Sequence, residues 1–413
     1  MMSLSDTRID FSTIYPSLPN QIVEIAEQIT QHKSEVRDSG LLGGKAGITL
    51  LFAYLSKAFP EKNYLQTTFE YLDELNDALA NEELDYSLSA GVAGMAFIYQ
   101  HLRNISILDI SEDLNLSELD VFIDRGVDLD FQSGNWDPLH GMVGLGIYFL
   151  ERNKETGEKK YLEKIVDRLA NMRTAAGEHR VWMTPGFGTY SNDNYNFGMA
   201  HGMPGVLSFL AQTYGRGIRQ QAIDEMISSC LPFLLQYEYA KDTVYCFPPT
   251  IDLQPKKEKL HARLAWCYGD LSMANVLIHC GKALHNENLK NKGVEVALKT
   301  MHRTLENSGC IDASFCHGSV GLAHQYHRLY QFTNNELFKV AADTWMDLTL
   351  QHFYKPAEYG DGYYFQSFNE EKKTFEFRTS YGLLEGSAGI ALVYLSYLYN
   401  FKPDWDIIFL TNV

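Results

Sequence analysis

Apolar positions recur along this chain in two alternating kinds of segment. In PNQIVEIAEQITQHK, NYLQTTFEYLDELNDALA, YLEKIVDRLANM and NNELFKVAADTWMDLTLQHF they return every three or four residues among polar ones, the spacing of a helix with one buried face. Between these lie apolar, helix-compatible runs that open on two small residues three apart. In order they read GGKAGITLLFAYL, SAGVAGMAFIYQHL, LHGMVGLGIYFLER, AHGMPGVLSFLAQTY, CYGDLSMANVLIHC, CHGSVGLAHQYHRLY and EGSAGIALVYLSYL. The first glycines are Gly44, Gly91, Gly141, Gly202, Gly269, Gly318 and Gly386, at intervals of 47, 50, 61, 67, 49 and 68 residues. Each interval accommodates two helices, so the pattern predicts seven helix pairs. Each motif supplies an inner-ring helix and each intervening segment an outer-ring helix, with glycines allowing close packing where inner helices begin. The fifth motif reads GDLS, with Ser272 in place of the second glycine.

Several intervals exceed what a helix pair needs. The excess is aromatic, β-branched and turn-rich: HRVWMTPGFGTYSNDNYNFG, DTVYCFPPTIDLQPKKEK and EYGDGYYFQSFNEEKKTFEFRTSYG. These predict short strands or ordered loops at about 178–198, 240–262 and 355–382. Each lies upstream of a glycine motif, so all three are expected at one end of the ring, the candidate functional face.

Aligning the motifs on their first glycine exposes the candidate chemistry. The preceding residue is Gly43, Ala90, His140, His201, Tyr268, His317 or Glu385, and the one before it Leu42, Ser89, Leu139, Ala200, Cys267, Cys316 or Leu384. Cys267 and Cys316 therefore share a slot in neighbouring repeats, with His317 beside the second. Residues 49 positions apart can converge in a closed ring, and a loop before a helix can aim adjacent Cys and His side chains at one ion. Two thiolates and an imidazole suit zinc, and three ligands leave one position open for chemistry. Cys230, Cys246, Cys280 and Cys310 fall outside the slot, and Cys280, on an apolar helix, reads as core.

Composition narrows the picture. The chain has 413 residues, is 45% hydrophobic and carries a formal net charge of -17, which argues against a nucleic-acid surface and for a soluble acidic protein. MMSLSDTRIDFSTIYPSLPN lacks the basic start and apolar run of a signal peptide, and no run approaches the length of a membrane span. Six cysteines then read as reduced thiols in a cytoplasm.

RLAWCYG at 263–269, SFCHG at 314–318, MAHGMPG at 199–205 and the sevenfold glycine pattern closely resemble the lanthionine synthetase C family, the lanthipeptide cyclases, from about residue 40 to residue 400. The resemblance implies an all-α fold, an α/α toroid of about 14 helices forming a single domain over residues 1–413, with one zinc ion per chain. By the same resemblance Cys267, Cys316 and His317 match the zinc ligands, His201 the catalytic histidine and Asp137 the catalytic aspartate, while Arg263 and Tyr268 match further active-site positions. The implied reaction adds a peptide cysteine thiol to dehydroalanine or dehydrobutyrine, forming a lanthionine or methyllanthionine ring. The implied partners are a dehydrated precursor peptide, a dehydratase and a peptide exporter, with no nucleic acid and no direct membrane insertion. The chain reads as a free-standing cyclase of the cytoplasm whose membrane association, if any, is made through partners.

The chemistry suits these residues. A free thiol is mostly protonated near neutral pH, and zinc coordination removes that proton. Attack on the β-carbon produces an enolate that needs a proton, which His201 can return; Asp137 can orient that ring and Arg263 can stabilise the enolate oxygen. The structural alternatives are a helix-start cap for Asp137 and a surface ion pair for Arg263. His140 either joins the site or hydrogen-bonds a loop, the latter being favoured. A glycoside hydrolase would need two opposed carboxylates, whereas the aligned slots hold one acid, Glu385. A non-catalytic peptide-binding scaffold leaves the Cys and His placement unexplained. A family member that adds glutathione or another small thiol to dehydroamino acids remains the alternative.

Overall fold

The computed structural model describes residues 15–109, 115–184, 194–240, 242–253, 261–356, 358, 362–369, 372–399 and 403–412. Its helices up to the first strand are α1 (Leu18–Gln31), α2 (Lys45–Ala58), α3 (Tyr64–Asn81), α4 (Val92–Asn104), α5 (Leu116–Ser133), α6 (Met142–Thr156) and α7 (Lys160–Met172). Strands β1 (Thr174–Ala176), β2 (His179–Val181) and β3 (Asn194–Asn196) precede α8 (Met203–Gly215) and α9 (Gln220–Leu235). After β4 (Thr250–Asp252) come α10 (Asp270–Ala283), α11 (Glu287–Thr300), the short α12 (Leu305–Ser308), α13 (Ser319–Thr333) and α14 (Glu336–Gln351). Strands β5 (Phe365–Asn369) and β6 (Thr374–Arg378) lead to α15 (Ser387–Tyr399).

The seven glycine motifs open α2, α4, α6, α8, α10, α13 and α15. These helices are buried on all sides: every residue of α15 from Ser387 to Leu398 is buried, as is every residue of α4 from Val92 to Leu102, and α13 buries His324, Gln325, His327 and Arg328 among its apolar residues. The intervening helices bury one stripe, as α7 does with Leu162, Ile165, Val166 and Leu169. Each such apolar side chain contributes about 1.5–3 kcal/mol on burial, enough to seat a helix whose other face is polar.

The contacts define two compact units. One comprises Met1–Asp85, Ser89–Leu114 and Ile311–Trp405; within it α15 packs on α1 and α2, α2 on α3 and α4, and α13 on α14 and α15. The other comprises Tyr86–Leu88, Asn115–Cys310 and Asp406–Val413; within it α10 packs on α8 and α11, α8 on α6 and α9, and α6 on α5 and α7.

A recurring loop sets the start of the interior helices. The N–H one residue after the first glycine reaches back seven residues to a carbonyl: Lys45 to Asp38 at 2.9 Å, Val92 to Asp85 at 2.9 Å, Met142 to Asn135 at 3.2 Å and Ser319 to Asp312 at 3.0 Å. The loop thereby curls onto the glycine so tightly that a Cβ at Gly44 or Gly91 would strike the Asp38 or Asp85 carbonyl. In the fifth motif Ser272 is fully buried and its hydroxyl donates to the Trp266 carbonyl at 2.6 Å, so a hydrogen bond replaces the second glycine's bare contact.

The strand segments form three antiparallel pairs among the described residues: β1 with β2, β3 with β4, and β5 with β6. β3 and β4 come from the first two expected loops and pair with each other, Asn194 opposite Asp252. β1 begins at Thr174, before the expected 178 boundary; Thr-Ala-Ala carries little strand signal and pairs because β2 lies opposite. Of the expected loops, residues 185–193, 241, 254–260, 357, 359–361 and 370–371 lie outside the described residues. No helix among the described residues is long and apolar enough to cross a membrane.

Candidate active site

Helix α5 ends at Gly134, in the left-handed region at φ 76°, and releases the chain into the loop Asn135–His140 before α6. That turn buries Asp137 completely. Its Oδ1 accepts the N–H groups of Leu139 and His140, both at 2.8 Å, and its Oδ2 lies 2.8 Å from His201 Nδ1. Asp137 therefore holds its own loop and also orients His201, but it is not the helix-start cap of the alternative reading, since the N-cap residue of α6 is Gly141, with no side-chain cap. Donation of Nδ1–H to the carboxylate fixes the tautomer that carries its basic lone pair on Nε2.

Three contacts fix the surroundings of His201. The Ala200 N–H donates to the Cys267 carbonyl at 3.3 Å, tying the His201 loop to the segment before α10. The Tyr268 ring lies 6.4 Å from the His201 ring, and its hydroxyl accepts from Asn196 Nδ2 at 3.0 Å. His140, exposed, stacks on His201 with ring centroids 5.7 Å apart and planes inclined by 13°. The expectation favoured a loop role for His140; its main chain serves the loop, while its ring stands against His201.

Cys267, Cys316 and His317 present ligand atoms that all lie within 4.8 Å of one another. Two sulfurs and an imidazole are the donor chemistry zinc takes, and the group fits. His317 has a carboxylate near each ring nitrogen: Asp312 Oδ2 is 3.4 Å from Nε2 and Glu385 Oε1 is 3.7 Å from Nδ1. Burial works to raise the Asp312 carboxyl, but its hydrogen bond to His317, the His317 charge and the Ser314 N–H together hold it below its ordinary value. The remaining cysteines belong to the core. Burial pushes the Cys246 thiol up to about 12 and the Cys230 and Cys280 thiols further still, and all six cysteines are free of disulfides.

Arg263 is exposed, with its Cβ close against Gly309. A second alignment column gives it a context that the glycine slots did not. Six residues before the first glycine stand Asp38, Asp85, Asn135, Asn196, Arg263, Asp312 and Ser380. In at least four repeats this side chain accepts the N–H two residues on: Asp38 from Gly40, Asn135 from Asp137, Asn196 from Gly198 and Asp312 from Ser314. The same column thus supplies the turn and the groups that hold Tyr268 and His317, through Asn196 and Asp312. Sequence reasoning missed both, although the repeat of Asp and Asn at this position was the available signal. Arg263 cannot accept that bond, so its place in the column is not explained by the turn.

A family model for lanthionine synthetase C-like protein matches residues 35–410. The chain belongs to the lanthionine synthetase C-like family. Its relatives in that family include the nisin biosynthesis protein NisC of Lactococcus lactis subsp. lactis, 24% identical over 407 residues, covering 92% of this chain and 91% of that protein. Another is the glutathione S-transferase LANCL1 of Danio rerio, 22% identical over 337 residues, covering 79% and 78% respectively. A solved nisin cyclase structure superposes with a TM-score of 0.74 over 97% of this chain and 98% of that one, at 20% identity. That likeness carries the fold, and the all-α, α/α toroid class expected from the seven motifs is the class of this lanthionine synthetase C-like chain.

Proposed function

We propose that this protein is a zinc-dependent lanthipeptide cyclase, which adds a cysteine thiol of a dehydrated peptide to a dehydroalanine or dehydrobutyrine of the same peptide. The observation that carries the reading is a donor set of two sulfurs and one imidazole within 4.8 Å, Cys267, Cys316 and His317, in a chain similar to a nisin biosynthesis protein over nine tenths of its length. Held by these three side chains, zinc would supply the positive charge that makes a substrate thiol ionise well below its free value of ~8.5. Asp312 keeps the His317 ring oriented for that task. As the sulfur bonds to the β-carbon, the C=C π pair moves onto the α-carbon and carbonyl oxygen. His201 Nε2 delivers the proton to the α-carbon. Asp137 stabilises the protonated ring before delivery, and Arg263 and Tyr268 stand to serve the developing negative charge.

Because one family model runs from residue 35 to residue 410, we read the chain as a single functional domain. A dehydratase must precede this reaction, since it makes the dehydroamino acids, and an exporter would take the cyclised product. We place the protein in the cytoplasm on that basis. The second reading, addition of glutathione, is favoured by the similarity to a glutathione S-transferase.

One experiment separates the two. The zinc-loaded protein is incubated with a dehydrated cysteine-containing peptide, and separately with glutathione and a cysteine-free dehydroalanine peptide. Ring closure leaves the mass unchanged but removes the thiol from maleimide labelling; glutathione addition raises the mass by one glutathione. The cyclase reading expects thiol loss well above the enzyme-free rate in the first tube. Equal loss with and without enzyme would overturn it, and adduct formation in the second tube alone would install the alternative.

A further inference from the structure

We propose that His140 is the group through which His201 exchanges its proton with solvent between turnovers. The inference rests on the proton-transfer role given to His201 above. The two imidazoles stack at 5.7 Å with planes 13° from parallel, and they differ in access to solvent: His201 is 9% exposed, whereas His140 is exposed. Both are registered on one carboxylate. Asp137 Oδ2 lies 2.8 Å from His201 Nδ1, and Asp137 Oδ1 accepts the His140 main-chain N–H at 2.8 Å. The main chain that carries the outer ring is therefore anchored relative to the inner one.

Two bonds of the loop use main-chain atoms of residue 140: the N–H to Asp137, and the carbonyl, which accepts from Asn135 Nδ2 at 3.0 Å. Any non-proline residue supplies both. A histidine adds a group that both takes up and releases a proton near neutral pH. The other ionisable neighbours of His201 suit this less well, Asp137 being fully buried and Tyr268 tied through its hydroxyl to Asn196.

The proton balance calls for such a group. A substrate thiol that loses its proton to solvent leaves His201 one proton short of what the α-carbon requires. His140 takes a proton from hydronium or a buffer acid at its exposed edge and releases one to His201 Nε2; only N–H and O–H bonds change, and nothing is oxidised.

The test is multiple-turnover cyclisation, with peptide in excess over zinc-loaded wild type, His140→Ala or His201→Ala, at low buffer concentration with and without added imidazole. His140→Ala should keep its zinc and thermal midpoint, cyclise on the order of 10-fold more slowly at low buffer, and recover as imidazole is added. Wild type should ignore the imidazole. A His140→Ala enzyme that runs at wild-type speed, or whose loss imidazole does not restore, overturns the inference. His201→Ala distinguishes the two failures. If it too runs at wild-type speed, the role of His201 falls; if it is slow beside a full-speed His140→Ala, only the exchange role falls.

Discussion

Asp137 and His201 are joined by a 2.8 Å contact between Oδ2 and Nδ1, while the other oxygen of Asp137 is occupied by two main-chain N–H groups of its own loop. One buried carboxylate thus fixes both the loop before α6 and the ring carried before α8. An asparagine in its place retains an acceptor for the loop and loses the charge that stabilises a protonated His201. Asp137→Asn is expected to slow cyclisation by about 10²-fold or more, the scale of a disabled acid-base group, at wild-type zinc content. Rate and metal content measured on the same sample check this; loss of both together would move Asp137 to a purely structural role.

Asp312 is the residue through which the metal site is testable without touching a ligand. It is 1% exposed, faces His317 Nε2 and accepts the Gln366 N–H at 3.1 Å, so it couples the ring to strand β5. Asp312→Asn should weaken zinc binding by about 10–100-fold, the usual effect of losing a carboxylate behind a ligating histidine. Competition with a chromophoric chelator reads the change directly. An unchanged affinity would show that Glu385, or no carboxylate, orients His317.

Thiol labelling should separate the cysteines into two classes. Burial holds Cys246 at about 12 and Cys230 and Cys280 higher, so none of these should react in the folded protein. Cys267 and Cys316 should be protected while zinc is bound and become the reactive pair on chelation. Peptide mapping after maleimide treatment, with and without chelator, gives the answer; protection of Cys267 and Cys316 that survives complete metal removal contradicts their assignment as ligands.

Gly198 and Gly215 form a matched pair. A Cβ at Gly198 would sit 2.5 Å from the Cys267 carbonyl oxygen and 2.8 Å from the Tyr268 ring, whereas one at Gly215 meets nothing within 4 Å. Gly198→Ala should cost about 1–3 kcal/mol and reduce activity, because the strands of chain carrying His201 and Cys267 are forced apart. Gly215→Ala, near the end of α8, should be neutral or stabilise by up to about 1 kcal/mol. Urea unfolding of both variants measures the contrast, and equal effects would remove the close-approach argument.

A buried ion pair provides a stability prediction away from the chemistry. Arg303 Nη1 lies 3.3 Å from Asp270 Oδ2, with side chains 1% and 0% exposed, and Asp270 also accepts the N–H groups of Cys246 and Phe247. Asp270→Ala strands a buried guanidinium and two amides at the start of α10. The expected loss is about 3–5 kcal/mol, read from denaturant unfolding at neutral pH. The double variant Asp270→Ala, Arg303→Met should recover part of it, since the stranded charge is gone.

The sequence by itself determined the seven interior helices and nominated the residues of the candidate centre. The interior helices carry mostly apolar and small residues, and their starts must admit a curled loop, so both features are written locally in each glycine motif. Repetition then made Cys267 and Cys316 equivalent although they stand 49 residues apart. Only the tertiary structure decided what holds those residues in place. Asn196 on Tyr268 and the His140 ring on His201 are contacts between separate loops, and Asp312 meets His317 only through the curl of the one loop that carries both; the orientation of each side chain depends on neighbours that the helical period does not specify. The pairing of β3 with β4 has the same cause. Each is three residues long and too short to be stable alone, so it exists because the fold brings the other beside it.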